Sequence, residues 1–365
     1  MINISKPSLG SEELKLVTHA IESGWISSQG IFLAELEIKF AKFCNAKHCI
    51  LTSNGTVAIH LALVVLNIGP GDEVLVPDLT FVATANAVKT AGATPIMVDV
   101  CKDTWCIDPE DIKRKITAKT KAIIPVHIYG FPADMDNINK IADQHSLYVI
   151  EDAAEAHGAE YHGKRVGGLG TMATFSFFAN KIITTGEGGA ITTNSDELAE
   201  KARFLRDHAM SKTKRYWHTE VGYNYRMTNM QAALGVAQMN RAEELISERD
   251  WILNKYRSYL EPHGISMNPQ KAGVRPVNWI TCVLLENISR EQRDMILEKL
   301  KDRGIETRPF FYPLSLFQMY KSDTCAVADD LSARGLNLPT YNGITEVEIK
   351  IVCDALLEVL ASDNQ

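Results

Sequence analysis

Along the first two thirds of the chain, short apolar runs rich in β-branched residues alternate with segments whose apolar residues recur at helical spacing. HCILT, EVLVP, TPIMVD, AIIPVHI, LYVIED, ATFSFF and GAITT read as strands. Thr56–Leu66 and Met135–His145 read as helices between them. This alternation predicts an α/β fold with a mostly parallel seven-stranded sheet in a large domain. After about residue 235 the pattern changes. One long helix is predicted over Met230–Leu260, then a strand in VNWITCVLLE and a helix opened by Ser289. Gln292 would complete a capping box there and Gly304 would end the helix. A last helix starts at Thr345, where Glu348 completes a second box and Ile349, Val352, Leu356 and Leu360 share one face. The expected organisation is an N-terminal helix and arm over 1–30, a large domain over 31–240 and a smaller α+β domain over 241–365.

Composition narrows the function classes. The 365 residues are 45% hydrophobic and 23% charged, as in ordinary globular proteins. A net charge of -7 argues against nucleic acid as a partner. No apolar run reaches the roughly 18–20 residues that span a bilayer. The opening MINISKPSLGSEELKLV lacks the pattern of a secretory leader, so the expected location is cytoplasmic. Seven scattered cysteines have neither metal-ligand nor disulfide-framework spacing, so free thiols and no metal are expected.

Three stretches carry candidate chemistry. In TSNGTVAIHLAL a strand gives way to a helix at Gly55–Thr56, where free N–H groups could cradle a phosphate; a plain turn is the alternative. LYVIEDAAEAHGA delivers Glu151 and Asp152 at the C-terminal end of a strand, the edge where open α/β sheets bind ligands. Asp152 could pair with a cationic ring nitrogen or cap a following helix. SFFANKIITTGEGG sets Lys181 between aromatic residues and a glycine-rich turn, with Ser176 five residues earlier. No G-x-G-x-x-G opens a helix there, which argues against a nicotinamide-dependent oxidoreductase. A phosphate cradle, an acid for a ring nitrogen and a lysine for an aldehyde together describe a site for pyridoxal 5′-phosphate (PLP).

With these motifs, and with GDEVLVPDLTFVATANAV, GATPIMVDV and GYNYRMTNMQAALG, the chain resembles the DegT/DnrJ/EryC1/StrS sugar aminotransferases from Trp25 to Thr340. That resemblance implies the aspartate-aminotransferase-like, type I PLP fold. It implies Lys181 as the cofactor-binding and catalytic lysine and Asp152 as partner of the pyridine nitrogen. It puts Glu155 beside the cofactor's phenolic oxygen, where many relatives carry Gln, and Phe81 on the ring face. It puts Gly55, Thr56 and Ser176 on the phosphate, with Asn224 reaching the phosphate of a second subunit. A homodimer with shared sites follows, alone or paired into a tetramer. The implied substrates are L-glutamate and a nucleotide-linked ketosugar. NKIITTGEGG and RYWHTEVGYNYRMTN resemble most the branch that aminates GDP-4-keto-6-deoxy-D-mannose for surface glycans such as O-antigen. A UDP- or dTDP-linked ketosugar, amination at C3, and a non-catalytic PLP-binding regulator are the alternatives.

Cations for the sugar nucleotide could come from Arg226, Arg308 and the loop SKTKRYWH, or that loop could be a solvated basic surface. Arg308 and Tyr312 stand in a turn, TRPFFYPL, that either faces the cleft or packs internally. His127 could line the pocket or satisfy a buried hydrogen bond.

Overall fold

The computed structural model describes residues 1–322 and 325–363. Seven strands form the central sheet: β1 His48–Thr52, β2 Glu73–Pro77, β3 Thr94–Val98, β4 Thr120–Ile123, β5 Tyr148–Asp152, β6 Met172–Ser176 and β7 Gly189–Thr193. Their order is β1-β7-β6-β5-β4-β2-β3. Only β7 runs against the others, because it is antiparallel to both β1 and β6. The apolar runs are buried on both faces, as parallel strands covered by helices must be.

Four helices matter for the site: α1 Ser11–Glu22, α2 Ile31–Phe43, α3 Gly55–Val65 and α4 Ala83–Thr90. In α3 nearly every side chain from Ala58 to Val65 is buried. A helix apolar on all sides fits only inside the core.

Sheet register gathers the predicted chemistry. Thr52 of β1 lies opposite Gly189 of β7, which lies opposite Ser176 of β6. Asp152 of β5 lies opposite Thr174, two residues before Ser176. The three sequence pieces therefore meet at one sheet edge. Side chains alternate along β5, so Glu151 and Asp152 face opposite ways. Glu151 accepts hydrogen bonds from the N–H groups of Gly167, Leu169 and Gly170 and serves the fold.

Three predicted elements differ in extent. The long helix is two helices, Asn229–Asn240 and Ala242–Leu260, broken at Arg241. Arg241 bonds Ser8 and pairs with Glu13, so the N-terminal segment holds the break. AIIPVHI leaves regular pairing at Ile123, just before Pro125, which has no N–H to donate. VNWITCVLLE forms a strand only over Thr281–Leu284. Its first half turns aside because Val277 donates to the Gly130 carbonyl.

Both predicted capping boxes form, at Ser289–Gln292 and Thr345–Glu348. A second apolar cluster, from Ile252 to Val359, packs the last helix, Glu346–Asp363, against Ala242–Leu260 and a four-stranded antiparallel sheet. Ile2 and Ile4 are tied to this unit through Gly304, Glu306 and Thr340. Among the described residues no helix is long and apolar enough to cross a membrane.

Candidate active site

The cradle is built at the start of α3. Asn54 caps the helix by accepting from Val57 N–H at 3.0 Å. The N–H groups of Gly55 and Thr56 come before any intrahelical partner and sit at the positive end of the helix dipole. Ser176 closes the other side. A Cβ on Gly55 would stand 2.8 Å from the Ser176 Cβ, so only glycine leaves the space open. Gly55→Ala should therefore weaken PLP binding about tenfold or more, with the fold retained. Absorbance titration with PLP checks this, and unchanged affinity would place the phosphate elsewhere.

Asp152 is buried at the end of β5. Its Oδ2 accepts from Thr84 Oγ1 at 2.8 Å and its Oδ1 from Ala154 N–H at 3.2 Å. Turns, not a helix, follow it, so the capping alternative does not occur. Burial raises its pKa, while the Thr84 hydrogen bond, the Ala154 N–H and the Lys181 charge pull it down. A buried carboxylate in this balance is completed by a cation. Phe81 stands three residues before Thr84, one helical turn away, and is 56% exposed. It is an aromatic face with nothing of its own chain over most of it.

Lys181 is enclosed but scarcely bonded. Its Nζ lies 3.8 Å from Glu155 Oε1 and 4.1 Å from the centre of the Trp279 ring. Among the described residues the amine makes no hydrogen bond. Burial lowers its pKa against the pull of Glu155 and Asp152, which favours the neutral, nucleophilic form. Beside it, Asn180 Oδ1 is buried without a hydrogen-bond partner.

Residues 7–357 match the DegT/DnrJ/EryC1/StrS aminotransferase family. The chain belongs to this family. It is 46% identical over 364 residues to a GDP-perosamine synthase of Caulobacter vibrioides, covering 98% of each chain. It is 42% identical over 359 residues to a GDP-perosamine synthase of Escherichia coli O157:H7, again covering 98% of each. A Streptococcus pneumoniae protein solved in apo, PLP and PMP forms shares the fold. Its apo form has a TM-score of 0.96 at 27% identity, with full coverage of both chains. The chain is a PLP-dependent aminotransferase with the type I fold, and its residues fit the cofactor. The space at Gly55 would admit a phosphate, the buried carboxylate of Asp152 a ring N–H, and the Lys181 amine, without a hydrogen bond among the described residues, an aldehyde carbon.

In this aminotransferase Glu155 is buried beside the lysine. Its Oε2 accepts from Tyr129 N–H at 2.7 Å. Burial pushes its pKa from 4.5 up to about 7, against the opposing pull of Lys181 and the Tyr129 N–H. The fold therefore favours the protonated form. That stabilisation is complete below about pH 4.5 and is lost as pH rises through about 7. Glu155→Gln should remove this loss, so the variant gains on the parent by up to roughly 3 kcal/mol across that window. Denaturant unfolding of the cofactor-free chain at several pH values reads it. Parallel pH profiles would show that Glu155 does not titrate there.

His127 takes the buried hydrogen-bonding alternative. It is fully buried, accepts from Ala133 N–H at Nδ1, and meets Glu151 at 3.1 Å through Nε2. Arg226 is grouped with Asn224, His208 and Asp207. Asn224 is exposed within one chain. Arg308 is exposed and pairs with Glu306 at 3.6 Å. Tyr312 lies under Arg290 and Arg293. No hydrogen bond, ion pair or ring contact joins Arg226, Arg308 or Tyr312 to Lys181, Asp152 or Glu155 among the described residues.

Sequence reasoning missed Thr84, Tyr129 and Trp279, and left Phe311 between the cleft and internal packing. Thr84 was findable, because its spacing from Phe81 is one helical turn. The other three form a wall. Phe81 meets Phe311 at 5.8 Å, Phe311 stacks on Tyr129 at 5.3 Å, and Tyr129 stacks on Trp279 at 6.2 Å.

Proposed function

We propose that this enzyme transfers the amino group of L-glutamate to C4 of GDP-4-keto-6-deoxy-D-mannose, giving GDP-perosamine for a surface glycan. The reaction type rests on the setting of Lys181, a buried amine with Glu155 and Asp152 near it and no hydrogen bond among the described residues. The sugar rests on the full-length likeness to the two GDP-perosamine synthases.

When bound, PLP supplies an electron sink for charge developing at the donor's α-carbon. Lys181 would hold its aldehyde carbon, and its amine would be the positioned acid and base for the α-proton. Asp152, braced by Thr84, would keep the ring nitrogen protonated. Glu155 would face the phenolic oxygen. Phe81 would cover one ring face and exclude water. Gly55, Thr56 and Ser176 would hold the phosphate.

Asn224 completes the phosphate site of a partner subunit, which makes the working unit a homodimer. Arg226, Arg308, Tyr312 and the 211–218 loop are the groups we assign to the nucleotide sugar. A nucleotide-sugar substrate puts the reaction in the cytoplasm. The test is to supply the PLP-loaded enzyme with glutamate and GDP-, UDP- or dTDP-linked 4-keto-6-deoxy sugars, then seek the amino sugar by mass spectrometry. The GDP sugar should be the preferred substrate. Product from a UDP or dTDP sugar alone would overturn the nucleotide assignment.

A further inference from the structure

Lys181 must be held in place and yet left free to react. A carboxylate at hydrogen-bond distance would hold it by locking the amine as an ammonium. Here the nearest carboxylate oxygen is 3.8 Å away. The face of Trp279 lies over the amine, with the ring centre at 4.1 Å. An aromatic face attracts the ammonium and can also meet an N–H of the neutral amine, so it restrains the nitrogen in both forms and does not take its proton.

The ring is fixed to the lysine's own backbone. Trp279 Nε1–H donates to the carbonyl of Asn180, the residue before Lys181, at 2.9 Å. It is also fixed from behind. The Trp279 carbonyl accepts from buried Arg249 at 2.8 Å, and Val277 N–H donates to the Gly130 carbonyl at 3.0 Å. Gly130 has φ of +91°, and a Cβ there would stand 2.0 Å from the Val277 carbonyl oxygen. Only glycine allows that approach.

The next residue toward the chain start, Tyr129, ties the wall together. It is a non-glycine residue in left-handed backbone, φ 52°. Its N–H holds Glu155, its ring stacks between Trp279 and Phe311, and its hydroxyl accepts from Phe311 N–H at 2.9 Å. Strained backbone of this kind persists where surrounding contacts fix it, often at functional sites.

We propose that Trp279 is a positioning residue for Lys181: its indole face holds the amine, its N–H fixes the preceding peptide, and Tyr129 links it to Glu155. The proposal rests on Lys181 being the reactive amine. The charged groups acting on Lys181 are Glu155 and Asp152. His157, nearby, is kept neutral because burial pushes its pKa down to about 3.

The experiment reads the amine itself. The full-length, cofactor-free chain is labelled with acetic anhydride over a range of pH, and modification of Lys181 is followed by peptide mass spectrometry. Only the neutral amine reacts, so the profile gives its pKa. Loss of the aromatic face in Trp279→Leu should lower that pKa by about half to one and a half units. Trp279→Phe, with a weaker face, should fall between parent and Trp279→Leu. If Trp279→Leu does not fold, the parent and Trp279→Phe still decide the sign.

An unchanged or raised pKa in the variants would overturn the proposal. In the PLP-loaded enzyme, Trp279→Phe should lower kcat with little change in KM for glutamate, since the tie to Asn180 is lost. If acetylation follows the expected order while the loaded parent does not transaminate, Trp279 keeps its role and the functional reading fails instead.

Discussion

Lys181→Ala is expected to lower turnover at least about 10³-fold, because one side chain supplies both the covalent tether and the proton carrier. The visible absorbance band that PLP gains when joined to a lysine should vanish. The cofactor's phosphate should still bind at Gly55, Thr56 and Ser176, so weakened, non-covalent PLP binding is expected alongside the lost activity. Lys181→Met, closer in volume, separates chemistry from packing: it should unfold within a few degrees of the parent and be equally inactive. Turnover above about one hundredth of the parent's in either variant would mean that another group carries the proton.

Asp152→Asn is expected to cost about 10²–10⁴-fold in turnover while the covalent link to Lys181 still forms. The asparagine keeps an oxygen for Thr84 but turns an amide, rather than a carboxylate, toward the ring nitrogen. A neutral amide cannot hold a proton there, and the electron sink weakens. Thr84→Val should produce a smaller fall of about tenfold, since it removes one hydrogen bond to a charged group. A visible band with normal turnover in Asp152→Asn would break the assignment of Asp152 to the ring nitrogen.

These two residues were legible in the sequence for a physical reason. Asp152 ends one apolar run that forms a buried strand, and Lys181 lies five residues past the end of another at Ser176. Gly55 likewise follows a strand end, and register sets the strand ends at Thr52, Asp152 and Ser176 along one edge.

What was not legible is what tertiary bonds alone determine. Nothing in VNWITCVLLE marks the point where Trp279 leaves the strand, because the cause is the Gly130 carbonyl, far away in the chain. The break at Arg241 has no glycine or proline to signal it, and apolar spacing continues on both sides. Ser8 and Glu13 determine it. Burial of His127 beside Glu151 could be weighed from sequence but not decided, since a histidine at a strand end serves a buried hydrogen bond or a cleft equally well.

The most direct test of the central claim is the absorbance spectrum of the PLP-loaded enzyme during two additions. L-glutamate should bleach the visible band, and GDP-4-keto-6-deoxy-D-mannose should then restore it. Both half-reactions would pass through Lys181. A band that glutamate leaves unchanged would contradict the account.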